Sequence, residues 1–165
     1  MTMVEMLVAT GIGGIVLAAV ASMSFYTARS VATMANYDEL DRQSQNTLDN
    51  MSYRIRSASR LISYSTNQIT FSYNGGTLSY TYSPLTKKLT QNLNGVTRTM
   101  LEDCTALRFH VFQRSVVSNS FNQYVANGTN DAKVVLMEWT CSKTVLGKAT
   151  TEAGQSARII LRNNP

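Results

Sequence analysis

Few side chains in this sequence have the types and the spacing that chemistry at a site requires. The one histidine, His110, lies in an apolar segment, and strict alternation along a strand points it away from the side of Phe109 and Val111. The sequence contains no glycine-rich phosphate loop, no metal-ligand spacing and no nucleophile motif. We therefore predict that the protein is not an enzyme and has no catalytic residue, no metal site and no cofactor.

Glu5 is the side chain whose position requires a cationic partner. It is the only charged residue before Arg29, and an ionised carboxylate at membrane depth costs about 2.5 to 3.5 kcal/mol on insertion scales. The N-terminal end of a helix favours a carboxylate through its unpaired N–H groups. The α-amine of residue 1 of a neighbouring copy, displaced by about one turn or roughly 5.4 Å, would neutralise the charge. We predict that Glu5 and Met1 form an assembly contact between copies.

The segment that positions Glu5 is a nearly continuous apolar run over residues 1–25. About 20 apolar residues, at about 1.5 Å per residue, cross the hydrocarbon core of a bilayer as a helix. A cleaved secretory signal fits poorly, because such signals begin with basic residues and none precedes Arg29. We expect a retained helix that spans a membrane or forms a filament core. An ordinary single-pass anchor, with Glu5 at the interface, is the alternative.

The opening residues MTMVEMLVA resemble the mature N-terminus of type IV pilins and pseudopilins. The resemblance implies a leader removed before residue 1, N-methylation of Met1, and pairing of Glu5 with the terminus of a neighbour. Met1 and Met3 stand where the family commonly has Phe and Leu, and Ser22 stands where it commonly has Pro. The numbering fits a processed chain that begins at residue 1.

The same resemblance implies a function and a set of partners. It predicts a structural subunit of a type IV pilus-like filament, a homo-oligomeric helical polymer outside a bacterial cell, inserted in the inner membrane as a precursor. A prepilin peptidase, an assembly ATPase and a platform protein are implied as partners. The middle of the chain contains, in succession, Ile69-Thr70-Phe71, Gly75-Gly76, Tyr80 to Tyr82, Leu89, Asn94-Gly95 and Leu107-Arg108-Phe109. In this order it also resembles J-type minor pseudopilins and larger minor pilins, so a minor pseudopilin of a type II secretion system is one alternative. A monomeric membrane-anchored binding domain is the other.

Residues 26–62 continue the helical period without glycine or proline. A helix from Thr2 to Ile62 would be about 90 Å long, so we predict that its second half packs on a folded domain. Gly11, Gly13 and Gly14 are the predicted sites of helix melting on assembly, because each weakens a helix by up to about 1 kcal/mol relative to Ala. The predicted packing stripe, at steps of three and four, comprises Met34, Tyr37, Leu40, Ser44, Leu48, Met51, Ile55, Ala58 and Ile62.

Residues 63–165 alternate instead, and they predict an antiparallel β domain, giving an α+β fold with the long N-terminal helix packed on the sheet. Turn residues indicate two hairpins, with Gly75-Gly76 and Asn94-Gly95 at their tips. The predicted strands are 68–74, 77–83, 89–93, 96–101, 105–113, 133–141 and 157–161. Residues 145–156 are predicted to be a connecting loop.

Cys104 and Cys141 are the two cysteines. Outside the cytoplasm we expect them to form a disulfide that closes a loop of about 38 residues. In the chain-entropy model such a disulfide stabilises the folded state by roughly 4 kcal/mol. If Phe109 and Val111 lie on the same face of the sheet as Val135, the numbers of any two residues that face each other across these strands add up to an even number. The numbers of the two cysteines add up to an odd number, so an uninterrupted ladder would not place them opposite each other. A β-bulge, or a Cys104 that precedes the ladder, would reconcile the two. Two buried free thiols are the alternative, and two cysteines alone supply too few ligands for a metal.

The longest polar segment, residues 115–131, is predicted to be an exposed contact loop presenting Phe121 and Tyr124. The formal net charge of +5 is compatible with a surface that binds nucleic acid or anionic lipid, or that is simply solvated. The basic residues are scattered, with Lys87-Lys88 as the only adjacent pair. Specific nucleic-acid binding is therefore not predicted.

Overall fold

The computed structural model describes residues 2–113, 124–145 and 148–162, with the backbone alone at 145 and 148–156. Within these ranges the chain forms one helix followed by strands. The elements, in chain order, are α1 (Met3–Ser57), β1 (Arg60–Tyr64), β2 (Gln68–Tyr73), β3 (Gly76–Ser83), β4 (Lys88–Leu93), β5 (Val96–Leu101), β6 (Cys104–Gln113), β7 (Tyr124–Val125), β8 (Ala132–Val145) and β9 (Lys148–Ile160).

The strands form two antiparallel sheets, where one sheet was expected. The first is a five-stranded meander in the order β1-β2-β3-β4-β5, and the second has four strands in the order β7-β6-β8-β9. The chain passes from one sheet to the other between Leu101 and Cys104. The predicted α+β class, a long N-terminal helix packed on antiparallel β structure, is confirmed.

The C-terminal half of α1 closes the core against both sheets. Its buried side chains are Leu40, Ser44, Thr47, Met51 and Ile55. Ser44 and Thr47 bring hydrogen bonds into this contact, since the Thr47 hydroxyl donates to the Met100 carbonyl at 2.9 Å. The predicted stripe therefore holds for Leu40, Ser44, Met51 and Ile55, whereas Leu48 is half-buried and Thr47, which was not in the stripe, is buried.

Upstream of Leu40 the same stripe continues along a helix that has passed beyond the β domain. Met34, predicted to pack, is 70% exposed, and Tyr37 is exposed as well. A 3.6-residue period shows which side of a helix is apolar, but it does not show where the partner surface ends. The prediction that these two side chains pack on the domain is wrong for the single chain.

The helix ends at Ser57, earlier than the predicted Ile62. Ala58 caps it in an extended conformation, and β1 then pairs with β2 in antiparallel register. Leu61 is buried and faces Phe71, whereas Ile62 is 43% exposed. Ala58 and Leu61 are three residues apart, a spacing that continues one side of a helix but alternates faces in a strand, so the sequence favoured helix here and pairing with β2 decided the conformation.

The first hairpin turns one residue earlier than the sequence predicted. Its tip is Asn74-Gly75, with φ of 47° and 76°, and Gly76 already belongs to β3. The second tip, Asn94-Gly95, is as predicted, with φ of 50° and 89°. Positive φ at both central residues is the type I′ geometry that matches the twist of a hairpin.

Residues 145–156, predicted to be a loop, belong mostly to a long β8–β9 hairpin. The ladder continues outward through Lys143 paired with Thr150 to Val145 paired with Lys148. Small polar residues are common in loops, but nothing in their chemistry forbids a ladder that satisfies the backbone. The strand predicted at 157–161 is therefore the inner end of a longer one.

Candidate functional site

The N-terminal end of α1 is closed by a capping box that involves Glu5. The Thr2 backbone N–H donates to Glu5 Oε2 at 3.0 Å, and the Glu5 backbone N–H donates to Thr2 Oγ1 at 3.4 Å. The Thr-x-x-Glu spacing is a known signature of this cap, so the capping role of Thr2, which was not predicted above, is readable from the sequence. The carboxylate thus neutralises part of the positive end of its own helix while its side chain stays exposed.

Met1, the predicted partner and site of N-methylation, lies outside the described residues. The position of its amine relative to Glu5 therefore stays a prediction. Glu5 itself is exposed at the tip of the helix, with one oxygen engaged in the cap. A carboxylate can accept several hydrogen bonds, so the cap leaves it able to accept a further donor.

The first half of α1 carries its apolar side chains uncovered in the single chain. Residues 2–31 are all exposed, with Leu17 at 71%. The helix is long and apolar enough to cross a membrane. Monomeric soluble proteins rarely expose contiguous apolar surface of this kind, which usually marks a membrane or protein contact.

The hydroxyl groups of this segment form hydrogen bonds to their own helix. The side chains of Thr10, Ser22, Ser24 and Thr27 each donate to the backbone carbonyl four residues earlier, at 2.8 to 2.9 Å. A polar group without a partner costs several kcal/mol in a hydrocarbon environment, on the order of 2–7 depending on the reference. The helix therefore satisfies these donors internally and needs no water or neighbour to do so.

Gly11, Gly13 and Gly14, the predicted melting sites, lie inside a continuous helix. A methyl group added at each position would meet no neighbouring atom within 4 Å. These glycines make no close approach within the single chain that would require their small size. Their effect in the single chain is to lower local helix propensity, and the predicted melting on assembly stays a prediction.

Cys104 and Cys141 are brought together at one end of the second sheet. They face each other across the β6–β8 ladder, both are buried, and their Sγ atoms are 2.6 Å apart. The register shifts between Cys104 and Ala106, so a bulge at Thr105 reconciles this pair with the facing pair Phe109 and Met137. The two thiols are close neighbours, and the formation of a disulfide between them stays a prediction.

The remaining predicted positions do not converge on this end of the molecule. Phe121 lies outside the described residues. Tyr124 is 45% exposed on the short edge strand β7 and pairs with Gln113. His110 is exposed and its ring stacks on that of Phe112 with centroids 6.4 Å apart. Among the described residues, no group of three or more metal-ligating side chains is close enough to hold an ion.

The face of α1 directed away from the sheets carries separate patches of charge. Asp38 and Asp41 are exposed near the point where the helix leaves the domain. Nearer its C-terminal end a shallow groove between α1 and the chain after β9 is lined by Asp49, Tyr53, Arg56 and Arg162, among others. The acidic and the basic patches lie at two positions along the same continuous helix.

No family model matches this chain, and none of the curated proteins compared with it matches.

Proposed function

We propose that this chain is a structural subunit of a type IV pilus-like filament, assembled through its N-terminal helix. The apolar half of α1 would pack against the same half of other copies in a central bundle. The β domains would form the outer layer. Before assembly the same segment would hold the subunit in the inner membrane of a bacterium.

The observation that carries this proposal is the exposed apolar half of a single unbroken helix whose other half is fixed to a folded domain. The buried stripe begins at Leu40, and the preceding turns project from the domain with their apolar side chains uncovered. A membrane alone would cover such a segment, but Glu5 at its tip favours copies of the chain. Its carboxylate needs a cation at that depth, and no basic side chain precedes Arg29.

The neighbour's α-amine supplies that cation in the proposal. A copy displaced by about one helical turn, roughly 5.4 Å, places its first residue beside Glu5. The displacement repeats from copy to copy, so the contact is heterologous and generates an open helical polymer. The pairing of charge at the bundle axis thus sets the axial register of the filament.

The direct experiment is to image filaments sheared from the native cell and to identify their subunits and N-termini by mass spectrometry. We expect to find this chain in the filaments, with Met1 as its first residue and an N-methylated amine. Its abundance relative to the other subunits separates a major subunit from a minor pseudopilin. Absence of the chain from every filament, with all of it in the membrane as a monomer, would overturn the proposal.

A further inference from the structure

We propose that Asp38 of one copy pairs with Arg56 of another across the faces of α1 that are directed away from the sheets. This inference rests on the proposed function, because it specifies a second contact between subunits of the same polymer. It identifies the occupant of the groove at Arg56 and Arg162 as a second copy of this chain.

In the part of the chain that the structure describes, the two surfaces carry complementary charges, and neither Asp38 nor Arg56 forms an ion pair, although Asp38 lies close enough to Arg42 to interact with it electrostatically. In the described residues the ion pairs are Arg42 with Glu39 and Lys88 with Glu102. Asp38, Arg56 and Arg162 are exposed and take part in neither pair. The groove combines two arginines with the single acid Asp49, so it carries a net positive charge.

The neighbouring arginine, Arg54, behaves differently. Its Nε donates to Asn50 Oδ1 at 2.9 Å, and its guanidinium lies 6.0 Å from the centre of the Tyr73 ring. It is therefore occupied within its own chain, and Arg56 is the one directed to the groove. This contrast makes Arg56 and not Arg54 the candidate for a contact between copies.

Helix geometry places Asp38 and Arg56 on one line along α1. They are separated by roughly five turns, or about 27 Å along the axis. A parallel copy displaced by that distance brings its Asp38 level with Arg56. An aspartate and an arginine can then form a charge-assisted hydrogen bond, which is stronger than one between neutral groups.

The same displacement matches two exposed apolar side chains. Tyr53 in the groove is 72% exposed, and Met34, one turn before Asp38, is also uncovered. Their separation along α1 is again roughly five turns. One shift thus covers both the charge and the apolar surface, as expected of an interface with a buried aromatic contact and a polar rim.

The test uses charge reversal in the full chain in its native cell, with the amount of chain in sheared filaments as the readout. Asp38→Arg and Arg56→Asp, each alone, are expected to lower filament yield by about tenfold or more, because like charges then face each other across the interface. The double variant, which exchanges the two charges, is expected to recover most of the wild-type yield. Arg98→Asp, the same change at an exposed position of β5, is the matched control and should leave the yield unchanged.

A second measurement does not depend on yield. Cysteines introduced together by Asp38→Cys and Arg56→Cys are expected to form a ladder of disulfide-linked subunits when filaments are mildly oxidised, whereas either substitution alone gives none. Single reversals that leave the yield unchanged, with no ladder, would overturn this interface. If Glu5→Gln abolishes filaments in that same strain, the proposed function stands and the Asp38–Arg56 contact alone is wrong.

Discussion

The indole N–H of Trp139 donates a hydrogen bond to the hydroxyl oxygen of Ser44 at 3.1 Å, and this bond joins the helix to the second sheet. Both residues are buried. Ser44 was expected on the packing stripe, and the structure shows that its hydroxyl also satisfies the one polar atom of the Trp139 ring. A buried tryptophan N–H needs such a partner.

Ser44→Ala should therefore destabilise the domain by more than the loss of one surface contact. A buried donor left without an acceptor costs about 1–3 kcal/mol. We expect a loss of free energy of unfolding in that range, measured by chemical denaturation of the full chain in detergent. Gln45→Ala, at the adjacent exposed position, is the control, and equal effects of the two substitutions would contradict the role assigned to Ser44.

The facing cysteines predict a disulfide in protein isolated from outside the cytoplasm. Two thiols would lose two electrons and two protons to a disulfide-exchange oxidant, and Cys104 and Cys141 would become joined across β6 and β8. Unfolded protein without reductant should then show no thiol reactivity, and the double change Cys104→Ala with Cys141→Ala should lower stability by about 4 kcal/mol in the chain-entropy model. Two reactive thiols in such a preparation would contradict the prediction.

Gly76 is predicted to be intolerant of a side chain. A methyl group there would collide with the Asn94 side chain, whose Oδ1 accepts the Thr77 backbone N–H at 2.9 Å. Gly76→Ala should break this link between the two hairpin tips and lower the free energy of unfolding by about 1–3 kcal/mol. Gly128→Ala, at a position with open space around it, should leave the free energy of unfolding nearly unchanged. Thermal unfolding of the two variants measures this difference.

Alkaline pH should destabilise the domain through Tyr80. Burial raises the pKa of the Tyr80 phenol above its usual value, and Gln91 Nε2 donates to its oxygen at 3.1 Å. Unfolded tyrosine ionises near pH 10. The folded state holds the proton more tightly, so this contribution to stability is complete below about pH 10 and is lost as the pH rises above it.

The measurement is the free energy of unfolding as a function of pH. Tyr80→Phe should flatten the decline above about pH 10, whereas Tyr53→Phe, at an exposed position, should leave the slope unchanged. A slope that Tyr80→Phe does not alter would show that this phenol ionises without unfolding.

The sequence was most informative where local chemistry and tertiary structure agree. Asn94-Gly95 predicted its turn because both residues favour positive φ, and the buried stripe from Leu40 followed from helical spacing. The end of α1 could not be predicted, because the choice between helix and strand near Leu61 depends on pairing with β2. The bulge at Thr105 was anticipated only as one of two ways to align the cysteines.

The candidate site divides in the same way. Glu5 is conspicuous in the sequence because it is a lone charge in an apolar segment, and its capping partner Thr2 was readable from spacing alone. The relation of Asp38 to Arg56 was not, because both look like ordinary surface charges until the exposed face of α1 and the groove are known. Phe121, which was predicted to be exposed in a contact loop, lies outside the described residues, so its role stays a prediction.

The measurement that tests the central claim most directly separates the charge of Glu5 from its capping role. Glu5→Gln keeps a side chain that suits the capping box but removes the charge, whereas Thr2→Val removes the capping hydroxyl and keeps the carboxylate. Filament yield in the native cell should fall to background with Glu5→Gln and remain near wild type with Thr2→Val. Filaments that persist with Glu5→Gln would contradict the claim that this carboxylate joins one copy to the next.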